Sequence, residues 1–199
     1  DEVELYKRAL SAEEIATLFD AGGAGKCKGE LRRHHKVVTL RPLPSEHGVD
    51  EAGFPTFSGF GTAVAIRNGT AFVGITEAIG GSRVAVYSQT ATGTGWVRTA
   101  TLTVTDAPAV GENGFGRAIV FRDGIAVIAS HTFLHVFRRI NGVWTDVQKL
   151  APPNGGTGAS WRISAMRFEN GILLAGSNPP LGERVVYVYE LAANGKLLP

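Results

Sequence analysis

The side chains in this sequence that are able to do chemistry are few. His131 and His135 are four residues apart, a spacing that suits a metal when both lie on one helix. Here His135 falls in an expected strand, "LHVFR", and His131 in the turn before it, so both read as ordinary polar positions. His34, His35 and His47 are scattered over loops and strand edges and read the same way. Glycoside hydrolysis needs two carboxyl groups roughly 5–10 Å apart. The candidates are Asp50, Glu51, Asp106, Glu112 and Glu169. The first four fall in equivalent loops of an internal repeat, which favours a structural role in turns over catalysis. No G-x-S-x-G elbow is present, and "GGAGKCK" is too short for a phosphate-binding loop.

More informative are the residues that break the repeat. Arg67 and Arg122 share a repeat position whose third copy is Glu169. They form ion pairs, line a channel, or are exposed hairpin residues. Trp161 and Arg162 replace a Phe-Gly pair that the first two copies carry. An aromatic beside an arginine can stack on a sugar and hydrogen-bond it; the alternative is a packing tryptophan. Arg67, Arg122, Glu169, Trp161 and Arg162 are the candidate ligand-binding residues.

The elements that carry these residues follow from the repeat. "FGTAVAIRNGTAFVG" at 60–74 returns as "FGRAIVFRDGIAVIA" and, worn, as "RISAMRFENGILLAG". The anchor glycines Gly69, Gly124 and Gly171 each end an Asn-Gly or Asp-Gly pair, the strongest short hairpin signal. After each comes a second apolar run, then a third ending in Tyr87, Phe137 or Tyr189, then a turn at Gly95, Gly142 or Gly195. A fourth run starts at Trp96 and at Trp144, both read as core positions. Four short strands per copy fit a propeller blade better than a solenoid coil. The small residues Ala63, Ala65, Ala118 and Ala165 suit innermost strands crowded at an axis. Runs such as "IAVIA" suit a sheet covered on both faces.

Composition agrees. Of 199 residues, 26 are glycine, 44% are hydrophobic and 19% are charged, which suits many short strands joined by tight turns. A formal net charge of +2 provides no strong field for nucleic acid or an anionic membrane, and neither is expected as a partner. Cys27 is the only cysteine, so no intramolecular disulfide forms. No apolar run reaches the ~18 residues of a membrane span.

The paired "FG…NG" and "FG…DG" units, each followed by an aromatic-ended run and a tryptophan, resemble the FG-GAP repeats of integrin-type β-propellers in their bacterial form, over roughly 36–199. Many such blades carry a D-x-D-x-D-G calcium loop. None is found here, so no metal and no cofactor are expected. The segment "DEVELY" followed by "ALSAEEIATLF" resembles the C-terminal strand and helix of laminin-G or concanavalin-like domains, over about 30 residues. Ser11 and Glu14 form a capping box for a short helix within 11–20.

The expected organisation is a strand-helix tail and linker over 1–33 and an all-β, three-bladed propeller unit over 34–199. The blades span about 60–105, 115–152 and 162–199. By alignment the last blade lacks a fourth strand, and residues 34–42 are expected to supply it beside Arg184–Leu191. Three blades do not close a ring, so a homodimer of six blades is expected, or else a fragment of a larger propeller protein. By resemblance the chain is a secreted or cell-surface binding module for a glycan or protein ligand and not an enzyme. The alternative is a secreted hydrolase of glycans or esters with acidic residues in the propeller cleft.

Overall fold

Asn-Gly and Asp-Gly pairs set the hairpins. Asn68, Asp123 and Asn170 have φ of 48°, 52° and 50°, and the glycine after each is also positive. Two consecutive left-handed residues make the two-residue turn whose twist matches that of paired strands. A fourth such turn is Asn141-Gly142. The structure, a computed structural model, describes residues 11–13, 38–43, 48–49, 55–56, 59–76, 81–93, 95–104, 114–131, 133–151, 162–178 and 183–199. The chain divides into two units, Asp1–Thr39 and Leu40–Pro199. Of the first, only 11–13 and 38–39 are described, so the expected helix within 11–20 falls outside the described residues beyond Glu13.

The second unit is all β. After a two-residue pairing of β1 (Gly48–Val49) with β2 (Pro55–Thr56) come three four-stranded antiparallel sheets, each in simple sequence order. The first sheet holds β3 (Gly59–Arg67), β4 (Thr70–Thr76), β5 (Arg83–Gln89) and β6 (Trp96–Leu102). The second holds β7 (Ala118–Arg122), β8 (Ile125–Ala129), β9 (Leu134–Ile140) and β10 (Val143–Leu150). The third holds β11 (Ile163–Glu169), β12 (Ile172–Ser177), β13 (Val186–Leu191) and β14 (Leu197–Leu198). All of these except β14 are the strands expected from the repeat. The sheets do not close on themselves.

The second sheet lies between the others, and β7 runs beside both β3 and β11. Every residue of β8 is buried, because alternate side chains serve two cores. Ala126 and Ile128 pack with Phe72, Val84 and Val86 of the first sheet. Ile125, Val127 and Ala129 pack with Leu173, Ala175 and Tyr189 of the third. Trp144 closes the first of these cores, edge-on to Phe72 with ring centroids 5.0 Å apart.

The Phe-Gly pair has a packing role. Phe115 is fully buried in the core between the first two sheets. Gly116, at φ 89°, presents its carbonyl to Gly74 of β4, and a Cβ on either would collide with the other sheet. In the third copy this close approach is absent, and Ile163 fills the buried position instead.

One expectation is overturned. The strand beside β13 is β14, through Glu190↔Leu198 and Leu191↔Leu197, and the described part of the leading segment, 38–43, contains no strand. The local hairpin wins because its loop is short and costs little closure entropy. Ala192 N donates to Lys196 O at 2.8 Å around Gly195. Leu197 is then fully buried, and the Gln148 amide of β10 clamps its backbone in both directions, at 2.8 and 2.9 Å. Leu40 packs instead on the outer face of the first sheet, over Ala71, Val73, Ile75, Ala85 and Tyr87.

Candidate functional site

The last residues of β7 and β11 bring two of the candidates together. Arg122 ends β7 and Glu169 ends β11; Arg122 Nη1 lies 3.7 Å from Glu169 Oε1, across the second and third sheets. Arg167 Nη2 donates to Glu169 Oε2 at 2.9 Å. That hydrogen bond, then the charges of Arg167 and Arg122, hold the Glu169 carboxyl below the usual carboxylate range. Arg67, at the same position in the first sheet, is exposed and takes no part in this ion pair. Glu169 is thus ionised and engaged by two guanidinium groups, a poor general acid and a good structural tie.

Trp161 lies outside the described residues, as do Asp50, Glu51, Asp106 and Glu112. Arg162 is exposed, and its carbonyl accepts the Asn178 N–H at 2.8 Å. The suggested aromatic-arginine sugar contact therefore has its arginine at the start of β11, on the opposite end of the strand from Glu169.

His135 and His131 part company. His135 is buried, its Nδ1 2.8 Å from Asp146 Oδ2 on β10 and its ring edge-on to Phe115 at 5.5 Å. An ionised carboxylate only accepts, so Nδ1 carries the proton in this bond. Nε2 is buried and has no partner. This pair was not foreseen: "LHVF" and "WTDV" look like separate strand fragments until the β9–β10 register brings them side by side.

A second feature is an apolar surface. Phe72, Val127 and Leu174 are equivalent, each three residues after its anchor glycine, and Val84, Leu134 and Val186, and Val86, Val136 and Val188, are equivalent by their distance from Tyr87, Phe137 and Tyr189. The members from the first two sheets are buried beneath the next sheet. Leu174, Val186 and Val188 are 41%, 64% and 51% exposed, with Ile172 and Leu198 exposed beside them. Arg167 and Glu190 border the patch. No protein-family model matches the chain, and no curated protein matches it.

Proposed function

We propose that the chain is a non-catalytic binding and assembly module of an exported protein, its sheets consecutive blades of an FG-GAP-like β-propeller completed to six blades by a second copy. One observation carries this reading. The same three repeat positions are buried by a following sheet twice and uncovered the third time. A water-facing apolar row of this kind is what soluble monomers keep small. The two covered copies also indicate the chemistry of the cover: a sheet presenting alanine, isoleucine and an aromatic.

A second copy has a matching surface. Val64 and Ile66 of β3 are 69% and 67% exposed. Their equivalents Ile119 and Phe121 pack against the preceding sheet, as do Met166 and Phe168. Ring closure through this surface requires Leu40 to move off β4 and β5. The binding role, for a glycan or protein ligand, and the exported setting rest on the resemblance to FG-GAP and laminin-G families. Light scattering on the eluting protein tests the assembly. The wild type is expected at the mass of two chains, and Leu174→Glu with Val188→Glu at the mass of one. A wild type that stays monomeric and soluble at micromolar concentration overturns the proposal.

A further inference from the structure

Next to its first hairpin turn, each sheet carries a row of three side chains on the face turned toward the following sheet. In the first sheet the row is Arg67, Thr70 and Ser88, set by the pairings Arg67↔Thr70 and Thr70↔Ser88. In the second it is Arg122, Ile125 and Arg138. In the third it is Glu169, Ile172 and Glu190. Residues directly opposite in an antiparallel pair share a face. Ile125 packs toward the third sheet, and Ile172, exposed beside Leu174, lies on the uncovered face. The third row therefore repeats the second with both cations replaced by acids.

The second row shows what such a row does under a cover. Arg122 Nη1 lies 3.7 Å from Glu169 Oε1, and Arg138 Nη2 donates to the Gly195 carbonyl. Two cations meet two acceptors on the following sheet. The third row offers acceptors only, so its cover must bring the donors. Arg167 holds Glu169 Oε2 at 2.9 Å, while Oε1 has Arg122 beyond hydrogen-bond length. A carboxylate has about four lone-pair sites, so Oε1 has room to accept. Among the described residues Glu190 joins no salt bridge. Covering these carboxylates with a sheet that lacks a cation would be unfavourable. The first sheet carries one at the equivalent position: Arg67 is exposed and, among the described residues, joins no salt bridge. Glu169 stands behind Arg122 in the step from the second sheet to the third. In a step from the third sheet to the first sheet of another copy, Arg67 stands behind Glu169 in the same way.

We propose that Arg67 of a second copy pairs with Glu169, and that the row Glu169, Ile172 and Glu190 thereby selects the first sheet of another copy over its third sheet, which brings only acids in that row. This rests on the reading of the sheets as blades completed by a second copy, and adds what chooses the face that docks. Charges at the edge of an apolar interface act on the choice of partner more than on raw affinity.

Sedimentation velocity over a concentration series tests this with the full chain as wild type, Arg67→Glu, Glu169→Arg, and an equimolar mixture of the two variants. Each variant alone sets like charges against each other at both interfaces and should self-associate about tenfold more weakly, or worse. In the mixed pair one interface keeps Glu169 against Arg67 and the other has both charges reversed, so the mixture should associate as wild type does. Added chloride should weaken wild-type association and strengthen that of Arg67→Glu, because it screens an attraction in one and a repulsion in the other. A wild type that associates while Arg67→Glu matches it overturns the inference and leaves the second-copy reading intact. Variants that weaken but do not recover on mixing overturn it too. A wild type that never associates overturns that reading, and the inference with it. If Glu169→Arg does not fold, having lost its contacts with Arg122 and Arg167, the opposite salt responses of wild type and Arg67→Glu decide alone.

Discussion

The carbonyl of Gly116 rests against the backbone of Gly74, joining the first two sheets by their main chains. A Cβ placed on Gly116 would lie 2.8 Å from Val84 Cγ2 and 3.2 Å from Gly74 Cα, and one on Gly74 would collide with the Gly116 carbonyl. Gly74 is not in the left-handed region, so Gly74→Ala isolates this contact from backbone strain. It should destabilise the protein by about 3 kcal/mol, the upper end of the usual scale of overpacking a tight interior. Gly61, at φ 86° with open space around it, should cost about 1 kcal/mol on the same change, from conformation alone. Urea denaturation of both variants measures this. Equal losses would mean the sheets have room to part.

The His135–Asp146 bond makes a prediction of opposite signs. Asp146→Ala leaves a buried imidazole with an unpaired Nδ1–H and should cost about 1–3 kcal/mol. Replacing both partners by apolar residues, His135→Leu with Asp146→Val, removes the orphaned donor along with the bond. The double variant should therefore unfold at higher denaturant than Asp146→Ala alone. If it is the less stable of the two, the imidazole contributes through packing against Phe115 rather than through its polarity.

How much of this was legible beforehand depends on range. The turns at Asn68-Gly69, Asp123-Gly124 and Asn170-Gly171 set local registers, so every strand of the three sheets except β14 is legible from residues a few positions apart. Contacts between sheets carry no such local mark. Arg122 and Glu169 break the repeat, but only the adjacency of β7 and β11 decides that they meet while Arg67 takes no part in the ion pair. The repeat places residues 34–42 beside Arg184–Leu191, and the leucines at 197–198 hold that place instead. A two-residue strand has no periodicity to read.

Glu169 predicts an acid-side response. Its folded-state pKa is depressed by Arg167 first and Arg122 second. A depressed carboxyl contributes stability above its unfolded pKa, about 4.3 for glutamate, and loses that contribution as pH falls through the folded value. The wild type should melt above Glu169→Gln at pH 6–7, by a small margin because the carboxyl is exposed and screened. The margin should shrink to nothing as the pH drops below about 4. A margin independent of pH would assign the effect of the substitution to something other than charge.

Leu40 supplies the sharpest test of how the outer face of the first sheet is used. In the single chain it covers Val73, Ala85 and Tyr87, the equivalents of Ile128, His135 and Phe137 in the second sheet, two of which face the first sheet's core. A second copy docking by its third sheet competes with Leu40 for this surface. Leu40→Asp should loosen the cover and strengthen self-association by roughly tenfold in Kd, a change of about 1.4 kcal/mol. It should also lower the melting temperature of the dilute protein, since apolar burial of a half-buried leucine is lost. Sedimentation velocity across a concentration series, with wild type and variant side by side, reads both the direction and the size. Association that weakens on Leu40→Asp would show that the leading segment belongs to the interface and does not block it, and the second copy would then meet the first sheet through Leu40.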